Sequence, residues 1–203
     1  MLLPLFSFIT AASAIVVAGP NGPWSVSYEV VQLTDETRWD PHAPVDSPHK
    51  RRILTSIFTP IGNDCDLERV DYLPPKTLEV YGQYATALGV PASLLEGFEL
   101  EVCRPNGQKQ QQQQYPVAIS SPGIAGTRLL SNAQAQSLAS RGNIVITVDH
   151  PYDANIVEFP DGTAVYGLYK NTSAITAEDA ANAVPVSTYV FRLAPLASDV
   201  LDC

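Results

Sequence analysis

One stretch of strand, helix and strand constrains the fold of this chain more than any other feature. Residues 116–121 and 144–149 are short runs that are nearly continuous in apolar side chains, which is typical of parallel strands covered on both faces. Residues 131–141 between them have the pattern of a helix. The stretch therefore predicts a β-α-β unit and, with it, an α/β protein.

The predicted helix carries its own start and stop signals. Ser131 and Gln134 have the spacing of a capping box, and Gly142 follows the last turn, where a glycine commonly ends a helix. Five residues share one broad face of this helix, namely Leu130, Ala133, Ser137, Leu138 and Arg141.

The rest of the chain is predicted from the same kind of pattern. Strands are expected at 24–33, 51–59 and 98–103, short helices at 78–88 and 92–96, a hairpin formed by 157–159 and 163–169, and a helix over 186–202 that is kinked at Pro195. Pro160-Asp161-Gly162 supplies the hairpin turn, and the glutamine-rich residues 109–114 indicate a surface loop.

The charge balance excludes one class of partner. The sequence has 12 basic and 21 acidic residues, a formal net charge of −9, and this charge repels phosphate backbones. We therefore expect no nucleic-acid partner.

The N-terminus predicts export. Residues 2–18 are apolar and end in small side chains, Ala12-Ser13-Ala14 fits a cleavage pattern, and the first charged side chain is Glu29. We predict a signal peptide over residues 1–18, a secreted mature domain over 19–203, and an extracellular location. An uncleaved anchor and a buried N-terminal element are the alternatives.

Export changes the interpretation of the three cysteines, because thiols pair in an oxidising compartment. We predict a disulfide between Cys65 and Cys103, which leaves Cys203 unassigned. Metal binding is the weaker alternative, since no C-x-x-C or H-x-x-H spacing occurs, and no metal or cofactor is predicted. Asn171-Thr172-Ser173 is a sequon for glycosylation at Asn171.

Ser121 lies at the predicted strand-to-helix turn, where hydrolases can carry a nucleophile. A nucleophile elbow requires G-x-S-x-G, and Ile119 occupies the position of the first glycine, which argues against Ser121 as the nucleophile. Ser140 comes next closest to the pattern but falls inside the predicted helix. The three histidines, His42, His49 and His150, are compatible with ordinary polar positions.

The alternative is that Gly123-Ile124-Ala125-Gly126 forms an oxyanion loop, in which small residues let backbone N–H groups approach a developing negative charge. Three motifs accompany this loop: Ser121-Pro122-Gly123-Ile124 with Arg128, then Leu138-Ala139-Ser140-Arg141-Gly142, then Asp149-His150. With these motifs, residues 50–165 resemble the fungal secreted branch of the platelet-activating-factor acetylhydrolase family of α/β-hydrolases.

The resemblance implies an α/β-hydrolase fold, of which this chain holds the N-terminal half of a mostly parallel sheet. It implies that the Ile124 N–H is an oxyanion donor and that Gly123 leaves room for a substrate carbonyl. Relatives often have histidine at position 122, and Pro122 removes both a side-chain and a backbone donor there. The chain is expected to end before the nucleophile elbow, so that nucleophile, acid and base of the triad are absent from it.

The function implied is that of a secreted serine esterase similar to 1-alkyl-2-acetylglycerophosphocholine esterases, acting on a small ester or a phospholipid and touching a lipid surface transiently. The isolated chain is expected to be inactive. Two alternatives stay open: another α/β-hydrolase esterase, cutinase-like or dienelactone-hydrolase-like, and a non-catalytic secreted protein that binds a lipid or a partner.

Overall fold

The computed structural model describes residues 14–106 and 114–168, which form two sheets, a hairpin and two α-helices. The strands are β1 Ile15–Val16, β2 Ser25–Trp39, β3 Lys50–Ile61, β4 Cys65–Asp71, β5 Phe98–Pro105, β6 Val117–Ser120, β7 Ile144–Asp149, β8 Ile156–Glu158 and β9 Ala164–Tyr166. The helices are α1 Pro75–Ala87 and α2 Asn132–Ala139, with 3₁₀ turns at Ala92–Leu95 and Arg128–Ser131.

The larger sheet has the strand order β2-β3-β7-β6. β6 and β7 are parallel and flank α2 in sequence, so the predicted β-α-β unit and the α/β class are confirmed. β3 runs antiparallel to both β2 and β7. The described part of the sheet is therefore mixed rather than mostly parallel, because the first two strands form a long hairpin instead of a crossover.

The smaller sheet has the order β1-β5-β4 and contains the predicted disulfide. Cys65 and Cys103 are bonded, with their Cα atoms 5.6 Å apart, so this pairing is confirmed. β4 was not predicted from the sequence, because its CDLERVD pattern is rich in charge. β1 falls within residues 1–18, and its pairing with β5 does not test the predicted cleavage.

The core lies between the two sheets and α2. Phe58 of β3, Leu100 of β5 and Ala139 of α2 are fully buried in one cluster with Val26 and Ala118. A second cluster packs Leu54 against the segment after β7, including Ala154 and Val157. Both clusters lie on the same side of β3, since Leu54 and Phe58 are four residues apart on one strand.

The helix of the β-α-β unit differs from its prediction in two respects. The capping box is wrong, because Ser131 makes no side-chain cap; Thr127 instead accepts from the Leu129 N–H at 3.4 Å and starts the preceding 3₁₀ turn. The face predicted from spacing is also not the packed one. Leu130, Leu138 and Arg141 are exposed, whereas Asn132, Ala135, Gln136 and Ala139 are buried. The stop at Gly142 is confirmed by its φ of 87°.

The other elements agree with their predictions. α1 begins at Pro75, whose missing N–H is harmless in the first turn, and Gly89 follows its end with a φ of 77°. The β8-β9 hairpin closes through Gly162 at a φ of 80°. The predicted helix over 186–202, Asn171, Cys203 and most of the predicted leader lie outside the described residues.

Candidate active site

The candidate site lies at the carboxyl ends of β6 and β7. The two strands are parallel, with Ser120 paired with Thr147, so the segments that follow them leave the sheet at the same edge. Residues 121–127 follow β6, and a turn over residues 150–154 follows β7. In open α/β sheets this edge is where ligands bind.

A buried ion pair anchors the end of the loop over residues 121–127. Asp149 Oδ1 accepts from the Arg128 backbone N–H at 2.6 Å, and Oδ2 accepts from the Arg128 guanidinium and from the Thr127 hydroxyl. Arg128 Nε donates to Ser56 Oγ at 2.9 Å, which ties the pair to β3. Burial raises the pKa of Asp149, and the Arg128 charge and the hydrogen bonds from Arg128 and Thr127 act against this shift.

The start of the loop is fixed by a second contact between the two strands. Ser121 Oγ lies 2.8 Å from His150 Nε2, a hydrogen-bond distance. Burial lowers the pKa of His150, with the Arg51 charge acting in the same direction and the carboxylates of Asp153 and Asp149 acting against it. The imidazole is therefore neutral near pH 7 and able to accept a proton.

The middle of the loop adopts a conformation that is uncommon for its residue type. Ala125 has a φ of 67° and is held from both sides: its N–H donates to Asp153 O at 2.8 Å, and its carbonyl accepts from the Tyr81 hydroxyl at 3.1 Å. Burial raises the pKa of Tyr81, so this hydroxyl stays a donor. Gly126 is required locally, because a Cβ there would lie 2.7 Å from the Pro122 side chain.

Two donors in this rigid loop are unused. Within the ranges that the structure describes, the N–H groups of Gly123 and Ile124 donate no hydrogen bond, while the neighbouring N–H groups of Ala125 and Gly126 do. A Cβ on Gly123 would meet no described atom, so packing does not explain this glycine. Gly123 is exposed and Ile124 half-buried, and both N–H groups are thus free to bind a ligand oxygen.

In the structure, the predicted loop residues Gly123 and Ile124 lie near a third residue, His150, that was not predicted to belong to the site. Gly123 and Ile124 lie in the loop as predicted, but their role as oxyanion donors stays a prediction. His150 was taken as an ordinary polar residue, and its contact with Ser121 was missed. The sequence did hold a signal for this contact, because Ser121 and His150 each directly follow one strand of the same parallel pair.

Among residues 14–106 and 114–168, no three His, Cys, Asp or Glu side chains are grouped so that they could hold a metal ion. In this part of the chain no helix is long and apolar enough to cross a membrane.

The chain is similar to known proteins over much of its length. The family model for platelet-activating factor acetylhydrolase, isoform II, matches residues 57–163. A protein of Arthroderma benhamiae named as a probable 1-alkyl-2-acetylglycerophosphocholine esterase is 32% identical over 166 residues, covering 76% of this chain and 42% of that protein. The structure of a ferulic acid esterase from Streptomyces cinnamoneus is similar with a TM-score of 0.54 and 25% identity, over 76% of this chain and 41% of the other. The chain thus spans less than half the length of either protein.

Proposed function

The chain belongs to the platelet-activating factor acetylhydrolase family and has an α/β-hydrolase fold; from this we propose that it contributes the oxyanion loop of a secreted serine esterase. The substrate class is a short acyl ester, such as the sn-2 acetyl group of a phospholipid. The name of the Arthroderma benhamiae relative supports this class, and the ferulic acid esterase supports ester hydrolysis more generally.

The observation that carries the proposal is the pair of unused N–H groups in a loop fixed at both ends and in the middle. A tetrahedral intermediate of ester hydrolysis places a negative charge on the former carbonyl oxygen, and rigid backbone donors stabilise that charge without reorganising. Ile124 provides one such donor, and Gly123 leaves space beside it. Pro122 contributes none, because proline has no N–H.

The nucleophile is proposed to lie outside this sequence. The 203 residues contain no G-x-S-x-G. Since the chain matches only 42% of the Arthroderma benhamiae protein, a triad fits in the part of the relative that has no counterpart here. Isolated oxyanion donors give little turnover, so the 203-residue chain alone is expected to be inactive on p-nitrophenyl acetate.

A second candidate follows from the contact between Ser121 and His150. A hydroxyl 2.8 Å from a neutral imidazole has the arrangement of a nucleophile and its base. Two features oppose this role: Ile119 stands where an elbow has glycine, and Pro122 cannot supply the N–H that follows the nucleophile in such enzymes. A fluorophosphonate adduct on Ser121 would establish the second candidate and overturn the first.

We also propose that the protein is exported. The disulfide between Cys65 and Cys103 and the apolar N-terminus favour an extracellular enzyme that meets small esters or the surface of a lipid aggregate. Recovery of the protein from the cell fraction with both thiols free would contradict export.

The experiment is substitution at Ile124 in a form that continues past residue 203 to a G-x-S-x-G. Ile124→Pro removes the N–H and is expected to lower kcat about 10²- to 10³-fold, the effect of losing one oxyanion donor. Ile124→Ala keeps the N–H and is the matched control, with kcat expected within a few-fold of the parent. Equal kcat values for the proline and alanine variants would contradict the proposal.

A further inference from the structure

The turn after β7 holds the whole candidate loop and is itself strained. Its residues contact the loop at two points, since His150 binds Ser121 and Asp153 accepts from the Ala125 N–H. Asp149, the last residue of β7, binds the Arg128 end of the loop directly before the turn. At the centre of this turn Tyr152 has a φ of 73°, a conformation that side chains as large as tyrosine rarely adopt. Strain of this kind persists only where surrounding contacts enforce it, and it clusters at functional sites.

The contact that enforces it comes from the loop between β2 and β3. His49 Nε2 lies 2.8 Å from the Tyr152 hydroxyl, and the two rings stack at 6.0 Å with an interplanar angle of 18°. Tyr152 is only 7% exposed, and its carbonyl accepts from the Leu168 N–H at 2.9 Å. The side chain and the backbone of Tyr152 are thus held by different parts of the chain.

The tautomer of the neutral His49 ring follows from its second contact. Its Nδ1 lies 2.9 Å from the carbonyl of Lys50, and a carbonyl can only accept, so Nδ1 carries the hydrogen. In the neutral ring Nε2 is then an acceptor, and the Tyr152 hydroxyl donates to it. The loop that carries His49 is closed at its base by the Asp40 N–H, which donates to His49 O at 3.0 Å.

We infer that His49 is a positioning residue: through Tyr152 it holds the turn over residues 150–154 and thereby sets the geometry of the candidate oxyanion loop. The functional meaning of this inference rests on the proposed role of the loop. The coupling between His49 and the loop does not rest on that role, because it can be measured without turnover. It would therefore remain even if the chain had no esterase activity.

The test measures amide hydrogen exchange of the oxidised 203-residue chain by NMR. In His49→Ala the amide of Ala125, which binds Asp153 O, is expected to exchange on the order of tenfold faster, the effect of losing one hydrogen bond that also restrains a strained residue. The amide of Tyr72, which binds Phe98 O in the smaller sheet, is expected to keep its rate. A general loss of stability would instead accelerate both amides equally and would overturn the inference.

Three further variants separate positioning from simple packing. Tyr152→Phe keeps the ring and removes the hydroxyl, and it should reproduce the effect of His49→Ala without adding to it in the double variant. His49→Gln retains an acceptor near the position of Nε2 and should restore part of the protection of Ala125. His42→Ala is the control, because His42 lies in the same loop with its ring 6.4 Å from that of Tyr152 but makes no hydrogen bond to it.

The NMR resonances of the His49 ring nitrogens provide a further measurement. The ring nitrogens of His49 should show the form with hydrogen on Nδ1 in the parent, and the Nε2 resonance should shift in Tyr152→Phe. Additive effects of His49→Ala and Tyr152→Phe, or an effect of His42→Ala equal to that of His49→Ala, would refute the role of His49.

Discussion

Replacing Asp149 with alanine removes the anionic half of the ion pair beneath the candidate loop. Asp149 is fully buried and Arg128 is 4% exposed, so the variant leaves a guanidinium without a counter-charge in the protein interior. Breaking a buried pair in this way destabilises proteins by about 3–5 kcal/mol. Since domains are stable by only about 5–15 kcal/mol, the free energy of unfolding should fall by about a fifth or more.

The assay is urea unfolding of the oxidised protein, followed by tryptophan fluorescence. We expect the midpoint to fall while the slope with urea stays the same. Arg128→Met in the Asp149→Ala background removes the orphaned charge and should recover part of the loss. The control is Arg104→Met, which breaks the exposed pair with Glu68 and should change stability by less than about 1 kcal/mol. A loss below about 1 kcal/mol in Asp149→Ala would show that the pair does not anchor the loop.

Three further predictions concern pH, packing and the disulfide. Burial lowers the pKa of His150 in the folded state, so the unfolded state binds its proton at a higher pH. The free energy of unfolding should therefore fall as the pH drops below about 6.5. His150→Gln should weaken this pH dependence in urea titrations at several pH values. Gly126→Ala should lower the thermal midpoint in calorimetry, because the new Cβ would lie 2.7 Å from the Pro122 side chain, and an unchanged midpoint would contradict the described loop. Replacing Cys65 and Cys103 with serine should lower stability by about 4 kcal/mol, from the loop entropy of a 38-residue separation, and no loss in chemical denaturation would be inconsistent with the bond.

The central β-α-β unit was predictable because its signals are local. Continuous apolar runs define β6 and β7, and Gly142 stops the helix through a positive φ that glycine adopts readily. The disulfide was predictable as well, because the apolar N-terminus led to the expectation of export, and two cysteines tend to pair in an oxidising compartment. These features depend on residue type and spacing and need no knowledge of the tertiary structure.

The packing of α2 was not predictable by the same means. Gln136 is buried because its amide donates to the carbonyl of Glu101 in β5, a residue 35 positions away. Periodicity assigns such a glutamine to the solvent face. β4 was missed for a related reason: its charged side chains stay exposed while its backbone pairs with β5.

The contacts that build the candidate site are also long-range. Ser121 and His150 are 29 residues apart, and His49 and Tyr152 are 103 apart. Each pair meets only because the register of β3, β7 and β6 places their ends at one edge. The loop could be recognised from its small residues, but the side chains that hold it could not.

The proposed role of Ile124 can be tested by the structure of a fluorophosphonate adduct, using a form extended beyond residue 203 by a segment that carries G-x-S-x-G. We expect the phosphorus to be bonded to a serine beyond that residue, with a phosphoryl oxygen about 2.7–3.1 Å from the Ile124 nitrogen. An adduct on Ser121, or a phosphoryl oxygen that makes no hydrogen bond to the N–H of Ile124, would contradict it.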